Sequence, residues 1–378
     1  MRILVFSWRD LRHPSAGGAE YVMHEHMKGW VEAGHGVTHF SSYLKGKPRE
    51  EEIDGVRIVR RGYQYLGVQA AAFLYYLKNR KSCDFLVDEF HGIPFFTPLF
   101  SRKPKLAVIH ETARGVWLMY PLPFRLNFFV GIIGYLFEPL VFLFYRKTFF
   151  MTVSNSTKKS LCLMGIPQKN ITIIYNAIDL EVSKYKKYSK ESENIVCYLG
   201  ALSKDKGVED AVECFFYLKK KGIENFWVIG KAVTKEYEQK IRNLVKKYNL
   251  DNNIKFWGYV DDDKKYELLR RCHVLINPSV REGWGLVNIE ANAMGTPVVA
   301  YRSPGLIDSI TDNSGVLVDK NTPSALAQAV FELLRDRKKY ERLSRGAKEW
   351  SKKFNWKKSR SQSLKLIEGI YDKRISRL

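Results

Sequence analysis

The sequence predicts an α/β protein with two doubly wound parallel-sheet domains. The chain has 378 residues, which is more than one ordinary core supports and enough for two domains. Its composition, 45% hydrophobic and 27% charged, is that of a globular protein. Short apolar runs alternate with helix-length segments through both halves of the chain, and strands that alternate with helices form parallel sheets covered on both faces.

The first domain is predicted over residues 1–180 and opens on a strand. The segment MRILVFSWRD lacks the basic region, long apolar stretch and small-residue cleavage site of a signal peptide, so we predict it as a buried strand. A helix is expected after the GGAE segment, Gly17–Glu20. Further strands are predicted in four apolar runs, which are GVTHFSS, GVRIVRR, CDFLVDE and KLAVIHE.

The second domain is predicted over residues 181–355 and repeats this plan. Residues 179–194 are polar and basic without apolar periodicity, as expected of an exposed connection between domains. Six strands are predicted in NIVCYLG, NFWVIGK, NIKFWGY, CHVLINPS, TPVVAYR and SGVLVDK. Residues 356–378 are predicted as a terminal helix that could pack on either domain. The apolar residues on one side of that helix are Trp356, Leu364, Ile367 and Ile370.

The chain carries a formal net charge of +22. Such a field attracts nucleic acid, anionic lipid headgroups or phosphorylated substrates, and charge alone does not choose among them. The sequence has no helix-turn-helix, zinc or aromatic ribonucleoprotein signature, so we predict no nucleic-acid partner.

The five cysteines are scattered singly and include no C-x-x-C pair. This spacing predicts neither a disulfide framework nor a zinc site. We therefore expect a reduced protein on the cytoplasmic side of the membrane.

Residues 128–144, FFVGIIGYLFEPLVFLF, are nearly all apolar. The segment is marginally short for a bilayer span and has Glu138 and Pro139 at its middle. Three interpretations stay open: a buried helix or helix pair, insertion at a membrane surface, and a span. Insertion would bring residues 124–147 into peripheral contact with an anionic membrane, since cations flank the segment. These cations are Arg125, Arg146 and Lys147.

Two loops have the residue types of an anion site. Gly17 and Gly18 lie between a predicted strand and helix, where small residues let backbone amides approach a ligand. Lys204 and Lys206 follow the strand NIVCYLG and precede Gly207, and lysines there can neutralise a phosphate. The alternatives are a plain tight turn for the glycines and a solvated turn for the lysines.

His110 follows the predicted strand KLAVI, at the carboxyl end where open α/β sheets bind ligands. A single histidine is more often structural than catalytic. His24 and His26 lack the i, i+4 spacing of a two-histidine metal site. The acidic run at residues 261–263 is predicted to cap the following helix, so no metal site is expected.

The segment REGWGLVNIEANAMGTP places Glu282 before a predicted helix and Glu290 just over one turn inside it. The two carboxylates would then face different parts of one extended ligand. Between them, the amides of Gly285, Leu286 and Val287 would be aimed at an anion. This order suits a sugar, a diphosphate and a ribose.

The same segment resembles the E-x(7)-E motif of the retaining glycosyltransferases of family 4, also called group 1. That family has the GT-B fold, in which two Rossmann-like domains face each other across a cleft. The similarity extends over nearly the whole chain, through GGAE, His110, TVSNSTKKSL, IIYNAIDL, GALSKDKG, IKFWGYV and a terminal helix announced by FNW.

The resemblance implies a role for each matching residue. Glu282 would hydrogen-bond the transferred sugar, and His110 would contact that sugar near the reacting centre; these are the implied catalytic residues. The other implied residues bind the rest of the donor. Glu290 would hold the nucleotide ribose, and Gly17 and Gly18 would approach from the other domain. The diphosphate would be bound by Lys206 with Lys204 and by the amides of Gly285, Leu286 and Val287.

The resemblance also implies partners. The donor would be a nucleotide-diphosphate sugar and the acceptor a hydroxyl of a glycan or lipid-linked molecule, with retention of anomeric configuration. No cofactor and no metal are expected. The terminal helix would cross back to the first domain, and the protein would act in the cytoplasm or peripherally on the inner face of the membrane.

One position departs from the family pattern. Ala201 in GALSKDKG stands where the family usually has an arginine, so part of the diphosphate clamp is missing. A noncatalytic nucleotide-sugar-binding protein therefore stays an alternative, and a nucleotide-sugar epimerase is a second one.

Overall fold

The computed structural model describes residues 1–64, 66–90, 92–112, 127–178 and 181–376. Its contacts divide the chain into two compact units. The first comprises Met1–Asn176 with Trp356–Leu378, and the second comprises Ala177–Asn355. The predicted boundary at residue 180 falls in the same connection, but residues 179 and 180 lie outside the described ranges.

The first unit alternates strands with helices. Its strands are β1 (Arg2–Phe6), β2 (Gly36–Ser41), β3 (Glu50–Ile53), β4 (Val56–Arg60), β5 (Phe85–Phe90), β6 (Lys105–Ile109), β7 (Phe149–Thr152) and β8 (Ile171–Ile173). Its first helices are α1 (Gly18–Glu32), α2 (Leu66–Asn79), α3 (Thr97–Phe100), α4 (Asn127–Leu143) and α5 (Asn155–Leu163).

The second unit follows the same alternation. Its strands are β9 (Ile195–Leu199), β10 (Asn225–Ile229), β11 (Ile254–Gly258), β12 (Val274–Asn277), β13 (Val298–Tyr301) and β14 (Gly315–Val318). Its helices are α6 (Val208–Lys219), α7 (Lys235–Lys247), α8 (Asp262–Arg271), α9 (Leu286–Ala293), α10 (Leu306–Ser309), α11 (Pro323–Arg335) and α12 (Arg337–Ser351). The chain then returns to the first unit as α13 (Trp356–Ile375).

The sheet of the first unit has the strand order β3-β4-β2-β1-β5-β6-β7-β8, and only the β3–β4 pair is antiparallel. The predicted strands of this unit are confirmed. Three others were missed. The β3 segment EEEI is charged and half exposed at a sheet edge, β7 follows directly on a long apolar segment, and β8 has three residues, so none shows a distinct period.

The sheet of the second unit has the order β11-β10-β9-β12-β13-β14, with every pair parallel. All six predicted strands are confirmed. The chain runs outward from β9 in one direction and then returns to continue from β12 in the other. In open α/β sheets, ligands bind at the carboxyl ends of the strands where the order reverses. The corresponding reversal in the first unit lies between β1 and β5.

Helices cover both faces of the second sheet. Successive residues of a strand point to opposite faces. In β9, Val196 and Tyr198 pack into one apolar cluster, while Ile195 and Cys197 pack into another. This arrangement explains why the strands of this unit are continuous apolar runs rather than alternating ones.

Helix α4 is buried along one side only. Phe142 lies in the core of the first unit, whereas Ile133, Leu136, Phe137 and Leu140 are each about half exposed. The exposed residues recur at helical spacing and so lie on one outer face. The expectation of a buried helix is therefore wrong for this face. Among the described helices, none has the length and apolarity needed to cross a membrane.

Helix α13 packs on α1. The indole Nε1 of Trp30 donates to Ser363 Oγ at 3.1 Å, and Arg360 pairs with Glu25. Ile367 and Ile370 are buried against the same face, as the predicted apolar side requires. The predicted terminal helix thus contacts the first unit.

Contact between α1 and α13 depends on Gly29. A Cβ placed there would lie 2.8 Å from Cβ of Arg360, so we expect Gly29→Ala to lower the free energy of unfolding by about 1–3 kcal/mol. Gly369 is a helical glycine of the same unit with no atom within 4 Å of the added Cβ, and Gly369→Ala is the control. Chemical denaturation measures both. Equal stability changes in the two variants would contradict the prediction.

Candidate active site

The loop after β9 is held against the end of β12. Gly207 has φ of 68°, and a Cβ there would lie 2.2 Å from the carbonyl oxygen of Pro278. The amide of Val280 donates to the carbonyl of Asp205 at 3.0 Å. Any side chain at position 207 would push the two loops apart, which explains why this position is a glycine. The loop leaves Lys204 exposed and Lys206 partly buried.

Lys206 and Glu282, predicted separately, form an ion pair. Lys206 Nζ lies 2.9 Å from Glu282 Oε2, and Ser279 Oγ donates to Glu282 Oε1 at 3.0 Å. The amide of Glu282 donates to the carbonyl of Pro304, which fixes its backbone to the loop after β13. The pair lies where the loops after β9 and β12 meet, at the reversal of strand order. The structure therefore brings these two residues together at the edge of the sheet where ligands bind.

The turn into α9 is locked by buried amides. Gly285 is the N-cap, with φ of 79°, and its added Cβ would lie 2.8 Å from Asn288 Nδ2. That Nδ2 donates to Ser309 Oγ at 2.9 Å, while Asn277 Nδ2 donates to Asn288 Oδ1 at 2.9 Å. The first N–H groups of a helix have no acceptor within it, so the Leu286 and Val287 amides are available to an anion. Sequence reasoning missed this polar network.

Trp284, the conspicuous aromatic residue of this segment, has a structural position. It is buried, and its ring lies 5.1 Å from that of Phe354 in an edge-to-face arrangement within the second unit. Gly285, which follows it with φ of 79°, lets the chain turn while the indole enters the core.

Glu290 lies inside α9, as predicted, and is buried beside a lysine that sequence reasoning missed. Lys265 Nζ lies 2.7 Å from Glu290 Oε1 and 2.8 Å from Asp262 Oδ1. Burial alone would lower the pKa of Lys265, but the two carboxylates outweigh it and hold that pKa above its ordinary value. The predicted cap of α8 is confirmed, since Asp261 accepts from the amide of Lys264.

Gly17 and Gly18 begin α1 in the first unit, in the loop after β1. The amide of Gly17 donates to Glu20 Oε2 at 2.7 Å, and Glu20 also pairs with Arg9. Gly17 has extended backbone geometry, and a Cβ at Gly18 would meet no atom of the structure within 4 Å. The turn itself therefore does not require glycine at position 18.

His110 lies directly after β6, at the carboxyl edge of the first sheet, which is also the edge of the loop after β1. Its Nε2 lies 3.3 Å from Oε1 of Glu89, a residue of β5 that sequence reasoning missed. Thr157 Oγ1 donates to the carbonyl of His110 at 3.1 Å. His26 of α1 is close by and fully buried; burial and the neighbouring His110 lower its pKa to about 3.

The described residues contain no group of three His, Cys, Asp or Glu side chains placed to hold a metal ion. All five cysteines are free thiols.

Two family models match this chain. The model of the glycosyl transferases group 1 matches residues 181–350, and the model of glycosyltransferase family 4 matches residues 16–182. The chain belongs to the group 1 glycosyltransferases of family 4. Its two α/β units have the fold class of the GT-B glycosyltransferases. The two models meet in the connection between the units.

Relatives of this group 1 glycosyltransferase include an uncharacterized glycosyltransferase of Methanocaldococcus jannaschii, 30% identical over 60% of this chain and 64% of that protein. Sucrose-phosphate synthase from Thermosynechococcus elongatus has a similar fold, with a TM-score of 0.80, 20% identity, and coverage of 98% of this chain and 99% of that one. Anabaena HepE, solved in complex with UDP-glucose, has a TM-score of 0.73, 15% identity, and coverage of 98% and 100%.

The low pKa of His26 predicts a dependence of stability on pH. The folded protein keeps His26 neutral down to about pH 3, whereas an unfolded histidine takes up a proton below its usual value of 6.5. Stability should therefore fall as the pH drops from 6.5 towards 3, by about 1.4 kcal/mol per pH unit from this residue. Denaturation of wild type and His26→Gln at several pH values measures the slope, and an equally steep slope in the variant would refute the assignment.

Proposed function

We propose that this group 1 glycosyltransferase transfers a sugar from a nucleotide-diphosphate sugar to an acceptor hydroxyl, with retention of anomeric configuration and without metal or cofactor. The observation that carries the proposal is the Lys206–Glu282 ion pair beside the amino terminus of α9. It joins a cation, a carboxylate and helix amides at the reversal of strand order.

The proposed chemistry is mainly electrostatic. Lys206, Lys204 and the amides of Leu286 and Val287 would stabilise the charge that develops on the leaving diphosphate. Glu282 would accept hydrogen bonds from hydroxyls of the transferred sugar and stabilise its oxocarbenium-like transition state. The diphosphate would take the proton of the incoming hydroxyl on the same face of the sugar, which gives retention.

Donor binding would exchange the partners of Lys206. In the structure, Lys206 Nζ pairs with Glu282 Oε2 at 2.9 Å. A diphosphate carries more charge than one carboxylate and would draw the ammonium towards itself, which frees Glu282 for the sugar. Glu290 would bind the nucleotide ribose, with the ion pair to Lys265 orienting its carboxylate.

In the first unit, the family resemblance implies His110, Gly17 and Gly18 as residues that would bind the donor. His110 would contact the transferred sugar near its reacting carbon. The two glycines would let the backbone approach the donor phosphates or the acceptor. HepE was solved with UDP and glucose and with UDP-glucose, so a uridine-diphosphate hexose is the first donor to test.

The outer face of α4 supports a membrane-bound or lipid-linked acceptor. Leu136, Phe137 and Leu140 expose apolar surface on the side away from the core. Arg146 and Lys147 follow the helix and are exposed. An apolar stripe flanked by cations suits the boundary between acyl chains and anionic headgroups. We propose peripheral contact with the inner face of the membrane through residues 127–147; residues 124–126 lie outside the described ranges.

A noncatalytic nucleotide-sugar-binding protein is the second candidate, and Ala201 favours it. The side chain at position 201 is exposed and cannot donate a bidentate hydrogen bond to a diphosphate. A protein of this class would bind the donor without turning it over.

We expect Glu282→Gln to lower kcat at least about a hundredfold, since the neutral amide cannot stabilise a developing positive charge. The measurement combines a thermal-shift screen of nucleotide sugars with a transfer assay using the donor that binds. The control is Glu238→Gln, which removes an exposed carboxylate paired with Arg242 on α7. Wild-type turnover by Glu282→Gln would refute the role of Glu282. Binding of a donor by the wild type without transfer to any acceptor tested would favour the noncatalytic candidate.

The membrane proposal has a separate test. Wild-type protein should float with vesicles that contain anionic lipid and less with neutral ones, because both apolar and charged contacts contribute. Leu140→Asp should lose most of this binding. Val233→Asp, which changes an exposed apolar residue of the second unit, should retain it. Equal flotation of wild type and Leu140→Asp would exclude α4 as the contact.

A further inference from the structure

Glu89 is a buried carboxylate that no motif of the sequence singled out. It is the last but one residue of β5, and its side chain is 1% exposed. Its Oε1 lies 3.3 Å from Nε2 of His110, which is also buried. A carboxylate in the protein interior is costly unless it is paired. The imidazole of His110 provides such a pairing.

The sheet register places Glu89 and His110 on the same face. Glu89 lies opposite Val108 in the β5–β6 ladder, and His110 is two residues after Val108, directly after the end of β6. Side chains alternate along a strand, so His110 shares the face of Val108. Val87 and Val108 contribute to the apolar cluster beneath α1 and α13, and Glu89 and His110 extend that face to the carboxyl edge of the sheet. The fold itself thus sets the approach of the two side chains.

The neighbouring acid, Asp88, has a different task. It points to the opposite face, where it accepts from Thr97 Oγ1 at 2.9 Å, from the amide of Phe95 at 3.1 Å and from the hydroxyl of Tyr145. These bonds order the segment after β5. Two consecutive buried acids are therefore used separately, Asp88 for the loop and Glu89 for His110.

A carboxylate beside an imidazole selects the protonated nitrogen. A carboxylate only accepts hydrogen bonds, so the nitrogen facing Glu89 must carry the proton. In the neutral ring, the other nitrogen is then an acceptor. His26 is the other imidazole near His110. Burial lowers its pKa to about 3 and so keeps it neutral, which means that it cannot replace the Glu89 carboxylate as the charged partner of His110.

We infer that Glu89 is a positioning residue, whose carboxylate holds the proton of His110 on Nε2 and fixes the orientation of its ring. This inference rests on the proposed function, in which His110 contacts the donor sugar. With Nε2 donating to Glu89, Nδ1 is the acceptor nitrogen of the ring and is itself buried, so the carboxylate sets both the tautomer and the orientation in which the ring would meet the sugar. Without the carboxylate, the proton could move to Nδ1 and the acceptor would be lost.

The test measures the ring nitrogens of His110 directly. Nitrogen-15 spectra of histidine-labelled protein distinguish protonated from unprotonated nitrogens, and His110→Gln assigns the signals. We expect a protonated Nε2 in the wild type and a shift of the proton towards Nδ1 in Glu89→Gln, because an amide can donate as well as accept. Transfer should fall about tenfold to a hundredfold in Glu89→Gln, as for other residues that orient a functional imidazole.

The matched control is Asp54→Asn. Asp54 Oδ2 lies 2.9 Å from Nε2 of His24, so the variant removes another carboxylate–imidazole contact of the same unit. It should leave both the His110 signals and the transfer rate unchanged.

An unprotonated Nε2 in the wild type overturns the inference, and this measurement does not require the variant to fold. Identical His110 signals in wild type and Glu89→Gln overturn it as well. If the wild-type protein transfers no sugar, the proposed activity is wrong, and if His110→Gln retains full activity, the proposed role of His110 is wrong. In both cases the spectra still show which ring nitrogen of His110 carries the proton.

Discussion

The reversal of strand order between β9 and β12 is the constraint on which the candidate site of the second unit depends. Parallel strands require a crossover after each strand, and right-handed crossovers carry the chain away from β9 first on one side and then on the other. The loops that follow these two strands therefore leave the sheet at one edge with no helix between them. Lys206 and Glu282 come from these two loops, and they meet because the topology leaves a gap there.

Backbone contacts turn this gap into a defined geometry. Gly207 lies against the carbonyl of Pro278, and Gly305, in the loop after β13, lies against the carbonyl of Glu282, where a Cβ would be 2.2 Å away. The buried amides of Asn277 and Asn288 fix the entry into α9. The two charged side chains are thus held by rigid neighbours, which suits a site whose proposed task is to present charge in a fixed arrangement.

Much of the fold could be predicted because its signals are local. Alternating apolar runs and helical segments identified the strands of the second unit, and the position of Glu290 inside α9 followed from where a helix could begin. The rest depends on distant contacts. Lys265 meets Glu290 only after two helices pack, and Glu89 meets His110 only through the register of β5 with β6. The spacing of these residues along the sequence predicts neither contact. The apolar segment at α4 was ambiguous for another reason, since composition does not show which side of a helix faces the core.

The contacts of Gly207 and Gly305 have a consequence for divergence within the family. Each glycine fits because a carbonyl of another loop occupies the volume of its missing side chain. A substitution in one of these loops would thus be tolerated only together with a compensating change in its partner. The loops after β9, β12 and β13 should consequently covary as a single block between relatives.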